Sequence, residues 1–213
     1  LWILICAVFI ASLGLNINST AVIIGAMLIS PLMGSILAIS YGTASNDAYL
    51  VKRHAVGFAV QIFMSVATAT VYFLLSPVKE PTEQLLARTN PNFFDVLIAL
   101  AGGIAGIVGQ TRKDKSNNII PGVAIATALM PPLCTCGYAI ANGNLRMLLG
   151  AFYLFTINAY FIYIASDLML VLLRTPRVRA MTFTEWKRLR KKMYRNTLLV
   201  LLPILAIAIG WNR

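Results

Sequence analysis

The sequence predicts an all-α membrane protein, a polytopic transmembrane helical bundle of about seven spans, and three observations predict it. Hydrophobic residues make up 59% of the chain and charged residues 12%, against the ~25% charged content of a soluble domain. Several nearly charge-free runs reach the ~18–25 residues that cross a bilayer as a helix. These runs are continuously apolar, whereas barrel strands alternate at every second residue. A soluble fold is excluded by size, because 213 residues offer too little interior to hide helices that are apolar on every side.

The expected spans are 1–15, 19–42, 54–76, 93–110, 119–141, 147–173 and 196–211. The chain opens at Leu1 inside the first apolar run, which is a little short for a full crossing. Part of the first helix and what precedes it are therefore expected to lie outside this sequence; with neither the basic leader nor the small-residue cleavage site, the run does not read as a signal peptide. Asn16, Asn18, Ser19 and Thr20 bound the second span, where capping is a sufficient role for them. Pro31 falls near its middle. Pro77 to Asn92 mixes Lys79, Glu80, Glu83 and Arg88 between prolines and reads as a short external helix or ordered loop. Asp95 starts the fourth span, where a negative charge favours the helix dipole. Gly102, Gly103, Gly106 and Gly109 form a small-residue stripe down that span, which lets another backbone come close, within the monomer or across a subunit interface.

Orientation follows from the basic residues of the loops. Lys52, Arg53, Arg112, Lys113, Lys115, Arg174, Arg177, Arg179, Lys187, Arg188, Arg190, Lys191, Lys192 and Arg195 fall on one side, and Lys79, Arg88, Arg146 and Arg213 on the other. The first side is expected in the cytoplasm, with Leu1 inside, Arg213 outside, and the chain in the cell's inner membrane. The net charge of +11 points to anionic lipid rather than nucleic acid, because the basic cluster Arg174–Arg195 borders a span. In that cluster Thr182 or Thr184 can cap an interfacial helix carrying Trp186, Leu189 and Met193 on one face.

Two segments read alike. A-M-L-I-S-P-L-M-G-S-I-L-A-I-S-Y-G surrounds Pro31, and T-A-L-M-P-P-L-C-T-C-G-Y-A-I-A-N-G surrounds Pro132. An offset of 101 pairs the prolines, Leu28 with Leu129, Leu32 with Leu133, Ala38 with Ala139, Ile39 with Ile140 and Gly42 with Gly143. Each proline sits in the second span of a set of three. The expected organisation is therefore a first three-helix unit (1–76), an external loop (77–92), a second three-helix unit (93–173), the basic segment (174–195) and a final helix (196–213). An odd number of spans per unit inverts the second copy, and matched broken helices in inverted copies point to a midplane site.

A mid-helix proline lacks an N–H and displaces the carbonyl four residues back, here those of Met27, Thr127 and Ala128. Chain restarting after each break would offer the amides of Leu32, Met33 and Gly34, and those of Leu133, Cys134 and Thr135. Helix N-termini favour anions. The candidate lining is Met27, Ser30, Pro31, Leu32, Met33, Gly34, Ser35, Thr127, Pro131, Pro132, Cys134 and Thr135, with Asn158 from the sixth span. Asp167 is the carboxylate well inside a span and a candidate coupling acid; meeting interfacial water or Arg174 would serve equally. Gln61 and Asn158 suit interhelical hydrogen bonds as well as substrate contact.

The soft ligands Met27, Met33, Met130, Cys134 and Cys136 near the two breaks suit Cu(I), but methionine is equally a gap-filler, and His54 stands alone at a membrane edge. No metal or other cofactor is expected. No H-E-x-x-H, P-loop or Gly-x-Ser-x-Gly pattern occurs, so an enzyme is not expected. Cys6, Cys134 and Cys136 all lie in apolar surroundings and form no disulfide framework.

V-I-I-G-A-M-L-I-S-P-L-M-G (Val22–Gly34) and G-V-A-I-A-T-A-L-M-P-P-L (Gly122–Leu133) resemble the paired signature stretches of a prokaryotic membrane family known as an uncharacterised hydrophobic domain, a domain of unknown function (DUF389). The resemblance covers most of the chain, and the chain departs from it at Ser35 and Cys134–Cys136. It implies membrane location and, in many members, a soluble N-terminal extension, but no activity. Taken with the repeat, the expectation is a transporter or channel for a small solute, an anion being favoured over a cation, forming a homo-oligomer in the lipid bilayer. A non-transporting scaffold or sensor coupled to a cytoplasmic domain is the alternative, and an enzyme acting on lipid comes third.

Overall fold

The computed structural model describes residues 1–111 and 129–176, together with 178, 191, 195 and 197. All regular structure among them is α-helical: α1 (Trp2–Asn16), α2 (Thr20–Ile29), α3 (Leu32–Ala44), α4 (Ala48–Leu75), α5 (Glu83–Leu86), α6 (Phe93–Thr111), α7 (Met130–Ala141) and α8 (Leu145–Leu172). Three helices, α4, α6 and α8, are long and apolar enough to cross a membrane; α2 and α3 together pass the same test as one span bent by 45°. The remainder of the expected fifth span, most of the basic segment and the final span lie outside the described residues.

Four helices end in the same way. Asn18, Asn46, Gly143 and Arg174 adopt φ of 56°, 56°, 67° and 54°, and the following amide reaches back into the helix. Ser19 N–H donates to Gly14 O (2.8 Å), Asp47 to Gly42 O (2.8 Å), Asn144 to Ala139 O (2.9 Å) and Thr175 to Leu170 O (3.1 Å). This left-handed cap satisfies carbonyls that the helix end leaves open, which matters most near hydrocarbon. Three of these caps continue directly into the next helix, two of them through an Asx side chain. Asp47 Oδ1 accepts from Leu50 N–H at 3.0 Å and Asn144 Oδ1 from Met147 N–H at 3.1 Å. Each Asx cap launches a helix of 28 residues. α4 therefore begins well before the expected position 54 and carries Lys52, Arg53 and His54 in its opening turns. The Asp47 cap outweighs their polarity, and long basic side chains can reach water from a helix end.

The packing forms a ring. α3 lies against α4 and α8, and α7 lies against α4 and α8 on the other side. α1 covers α4 and α7, and α6 packs along α8. α4 and α8 run antiparallel. α4 starts beside Ser45, whose carbonyl receives the N–H of Val178 from beyond the end of α8 (2.8 Å). At the opposite end, the connection following α4 meets the start of α8, where Thr89 lies against Gly150. Between α4 and α8 the Phe58 and Phe155 rings stack, centroids 6.0 Å apart and planes inclined by 25°.

Glycines set the closest crossings. A Cβ on Gly137 of α7 would stand 2.5 Å from Ala69 Cβ of α4, and one on Gly103 of α6 would overlap the backbone of Ile162 on α8. Ser166 Oγ donates to Gly103 O (2.9 Å) and Ser40 Oγ to Tyr163 O (2.8 Å). The glycine stripe of α6, Gly102, Gly103, Gly106 and Gly109, is buried, and Gly103 serves an intramolecular contact. The ring's most enclosed member is α7, buried at every residue from Met130 to Ala139.

Asn16, Asn18 and Thr20 do not cap the second span, contrary to expectation. Asn16 Nδ2 donates to Tyr72 Oη (3.1 Å) and Ser76 Oγ (2.7 Å), Asn18 Oδ1 accepts from Gln84 N–H (3.3 Å), and Thr20 Oγ1 accepts from Gln84 Nε2 (3.2 Å). Ser19 holds the N-cap position but makes no side-chain cap bond. The left-handed turn at Asn18 already satisfies the chain locally, which frees these side chains to tie α1 and α2 to the connection after α4. That connection holds the expected short helix, α5, capped by Thr82. Arg88 beside it has a buried Nε without a hydrogen-bond partner among the described residues. Burial pushes its guanidinium below the ordinary arginine value, and the Asp95 charge pulls it back upward.

Candidate functional site

The chain between α2 and α3 is interrupted where proline dictates. Ser30 is extended (φ −75°, ψ 129°), as the residue before proline prefers, and Pro31 is the N-cap of α3. The carbonyl of Met27 is not left open as expected, because Ser30 N–H donates to it at 3.3 Å. The Leu32 amide reaches Ser30 Oγ at 3.5 Å. Leu32 and Met33 are buried, Pro31 and Gly34 exposed. The break thus consumes part of its own hydrogen-bonding capacity and opens on one side.

One turn into α3, Ser35 Oγ donates to Gln61 Oε1 of α4 at 3.0 Å. Ser35 is 9% exposed, so this is a polar contact inside the apolar bundle. Four residues along α4, on the same helix face, the Ser65 hydroxyl is fully buried without a hydrogen-bond partner among the described residues. Ser65 escaped the sequence reading because one serine in an apolar helix carries no signal of its own; its spacing from Gln61 was the available clue.

On the other side of the ring, Pro131 and Pro132 occupy the first turn of α7, where a missing N–H costs nothing. Thr135 Oγ1 donates to Pro131 O at 2.9 Å. Cys134 Sγ points to Val8 O of α1 (4.0 Å) and Cys136 Sγ to Leu148 O of α8 (3.9 Å). The two thiols therefore serve different helices. Thr127, with Ala128, lies outside the described residues. Asn158 of α8 is 4% exposed.

Counting from the left-handed turns gives a different register from counting prolines. An offset of 97 carries Asn46 onto Gly143 and Asp47 onto Asn144, with the same cap hydrogen bonds around them. The same offset pairs Met33 with Met130, Tyr41 with Tyr138, Phe58 with Phe155 and Gln61 with Asn158. Pro31 and Pro132 are thus one helical turn out of step, although α3 and α7 begin at nearly matching places.

Asp167 is 7% exposed and lies one turn beyond Tyr163, whose hydroxyl donates to Thr43 Oγ1 (3.3 Å) at the far end of α3. From Ser35 to Thr43 α3 rises ~12 Å, so Asp167 stands apart from the Ser35–Gln61 pair. The structure brings Ser35 together with Gln61, and Thr135 with Pro131; it leaves Asp167 at the end of the bundle where α4 starts.

The chain is similar to an uncharacterized protein of Methanocaldococcus jannaschii, 29% identical over 155 residues that cover 73% of this chain and 48% of the relative. The chain spans about half the length of that curated relative. No solved structure matches it. The family model described as Domain of unknown function (DUF389) matches residues 27–164, a stretch running from the last turn of α2 to deep within α8, and the chain belongs to that family.

Proposed function

We propose that the chain is a transporter or channel for a small solute, with a pathway through the ring of α3, α4, α7 and α8. The observation that carries this reading is the exchange relation within the ring. Swapping α1 with α6, α3 with α7 and α4 with α8 preserves the contacts of the ring. The exchanged partners α4 and α8 are antiparallel, and the exchanged residues Phe58 and Phe155 touch each other. Residues related by a two-fold axis meet where the axis passes. These features support an inverted pair of three-helix units, the arrangement in which alternating access places a solute site near the midplane.

Ser35 and Gln61 supply hydrogen-bonding groups there, and Asn158 holds the position matching Gln61. The start of α3 adds helix-terminal amides, which favour an anion. Lys52, Arg53 and Arg174 gather at the end where α4 begins, and Lys79, Arg88 and Arg146 at the other. This segregation supports seven spans in the inner membrane with the first end cytoplasmic.

Flux into proteoliposomes tests the proposal. The parent chain should pass at least one small anion, and Gln61→Leu and Ser35→Ala should lower that flux while the protein remains folded. Equal flux for parent and both variants, or none for any solute, would sink it. A second reading, a membrane scaffold or sensor, is favoured by the close packing of α7, buried through ten residues. The scaffold reading expects no flux and no labelling of a cysteine placed at Gln61 by a water-soluble thiol reagent.

A further inference from the structure

Where the connection after α4 meets the start of α8, the chain forms an open cavity of about 690 Å³. Leu86, Thr89, Asn90, Pro91 and Asn92 form one wall, and Asn144, Arg146, Met147, Leu149, Gly150 and Tyr153 the other. Gly150 lets the walls close together, because a Cβ there would overlap the Thr89 carbonyl. From this cavity we infer a binding site for the headgroup of an anionic phospholipid, seated on Arg146 with its acyl chains along α8.

The chemistry of the lining selects the occupant. Arg146 is the charged residue of the lining, which holds no carboxylate. No hydrogen bond or ion pair engages Arg146 among the described residues, so its guanidinium is available, and this group matches a phosphate with parallel N–H donors. The side-chain amides of Asn90 and Asn92 can add donors. Leu86, Pro91, Met147 and Leu149 add an apolar wall, which suits the glycerol backbone and first methylenes better than a freely soluble anion.

Position separates a lipid from a soluble anion. The cavity lies at the ends of apolar helices, the level at which headgroups sit. Along α8 from the level of the cavity, Leu145 and Leu149 are 66% and 61% exposed, and Phe152 continues the stripe, one helical face at spacings of four and three residues. That stripe leads from the cavity toward hydrocarbon. The site stands apart from the Ser35–Gln61 pair and does not depend on transport. It also lies at the opposite end of α8 from Arg174.

The test uses the full chain, purified in a neutral detergent and titrated with phosphatidylglycerol, phosphatidylcholine or soluble glycerol phosphate, with bound molecules counted by native mass spectrometry. Phosphatidylglycerol should occupy a tight site that Arg146→Gln weakens roughly tenfold and Arg146→Lys weakens less. Leu149→Asn should weaken it while leaving the fold intact. Neutralising Lys191 and Arg195 should leave this tight site unchanged. Equal binding of phosphatidylcholine, equal binding of glycerol phosphate, or indifference to both Arg146→Gln and Leu149→Asn would each overturn the assignment.

Discussion

Phe58 and Phe155 are the eleventh residues of two antiparallel 28-residue helices and stack on one another with ring centroids 6.0 Å apart. Each ring is therefore the counterpart of the one it touches. A double-mutant cycle measures this pair. Phe58→Leu and Phe155→Leu should each destabilise the detergent-solubilised protein, and the double variant should fall short of their sum by about 0.5–1.5 kcal/mol. Strict additivity in unfolding experiments would mean the rings do not support each other.

The α4–α7 crossing depends on the missing side chain at Gly137. Gly137→Ala places a methyl against Ala69 and the Thr70 backbone, where both neighbours are helix and cannot swing aside. A loss of about 1–3 kcal/mol is expected. Gly57→Ala is the matched control, with nothing within 4 Å; higher helix propensity makes it neutral or stabilising by up to about 1 kcal/mol. Thermal unfolding in a single detergent compares the two.

The left-handed turns give opposite expectations at equivalent places. Gly143→Ala should cost about 1–2 kcal/mol, because its φ of 67° is strained for a residue with a Cβ. Arg174→Gly should gain a few tenths to about 1 kcal/mol at its φ of 54°. Denaturant midpoints read both signs, and a stabilised Gly143→Ala would contradict the turn assignment.

Arg88 and Asp95 form an unequal pair. Burial lowers the Arg88 pKa and Asp95 raises it, so the carboxylate offsets the cost of holding a partly buried guanidinium. Asp95→Asn should lower stability by about 1 kcal/mol, and Arg88→Met should restore the double variant to near the parent. Unfolding of the three variants at neutral pH tests this order.

Much of the helical layout was legible because continuous apolar runs and prolines act locally. Pro31 predicts the break before Leu32 from its own missing N–H, and the charged stretch around Glu83 predicts an excursion from the membrane. The register between the halves was less legible. Offset 101 rests on proline identity, but Pro132 sits harmlessly in the first turn of α7, whereas Pro31 precedes α3. The turns at Asn46 and Gly143 align at offset 97 instead, and their shared conformation is carried by different residue types. Gln61 as the partner of Ser35 was hidden for a related reason: a hydrogen bond between α3 and α4 depends on how two helix faces meet. The roles of Asn16, Asn18 and Thr20 likewise depend on distant chain, Tyr72 to Gln84, that no local pattern specifies.

The enclosure of α7 bears on how the chain is assembled as it is synthesised. Its walls are α4, made earlier, and α8, made later, so a nascent chain that has just produced Ala141 lacks one side of the cradle. Until Leu145–Leu172 emerges, a segment carrying two prolines, a threonine and two thiols must wait against lipid. Its Thr135-to-Pro131 bond quiets one hydroxyl meanwhile. A chain terminated before α8 would leave this helix stranded, and membrane proteases that clear unfinished products should remove it.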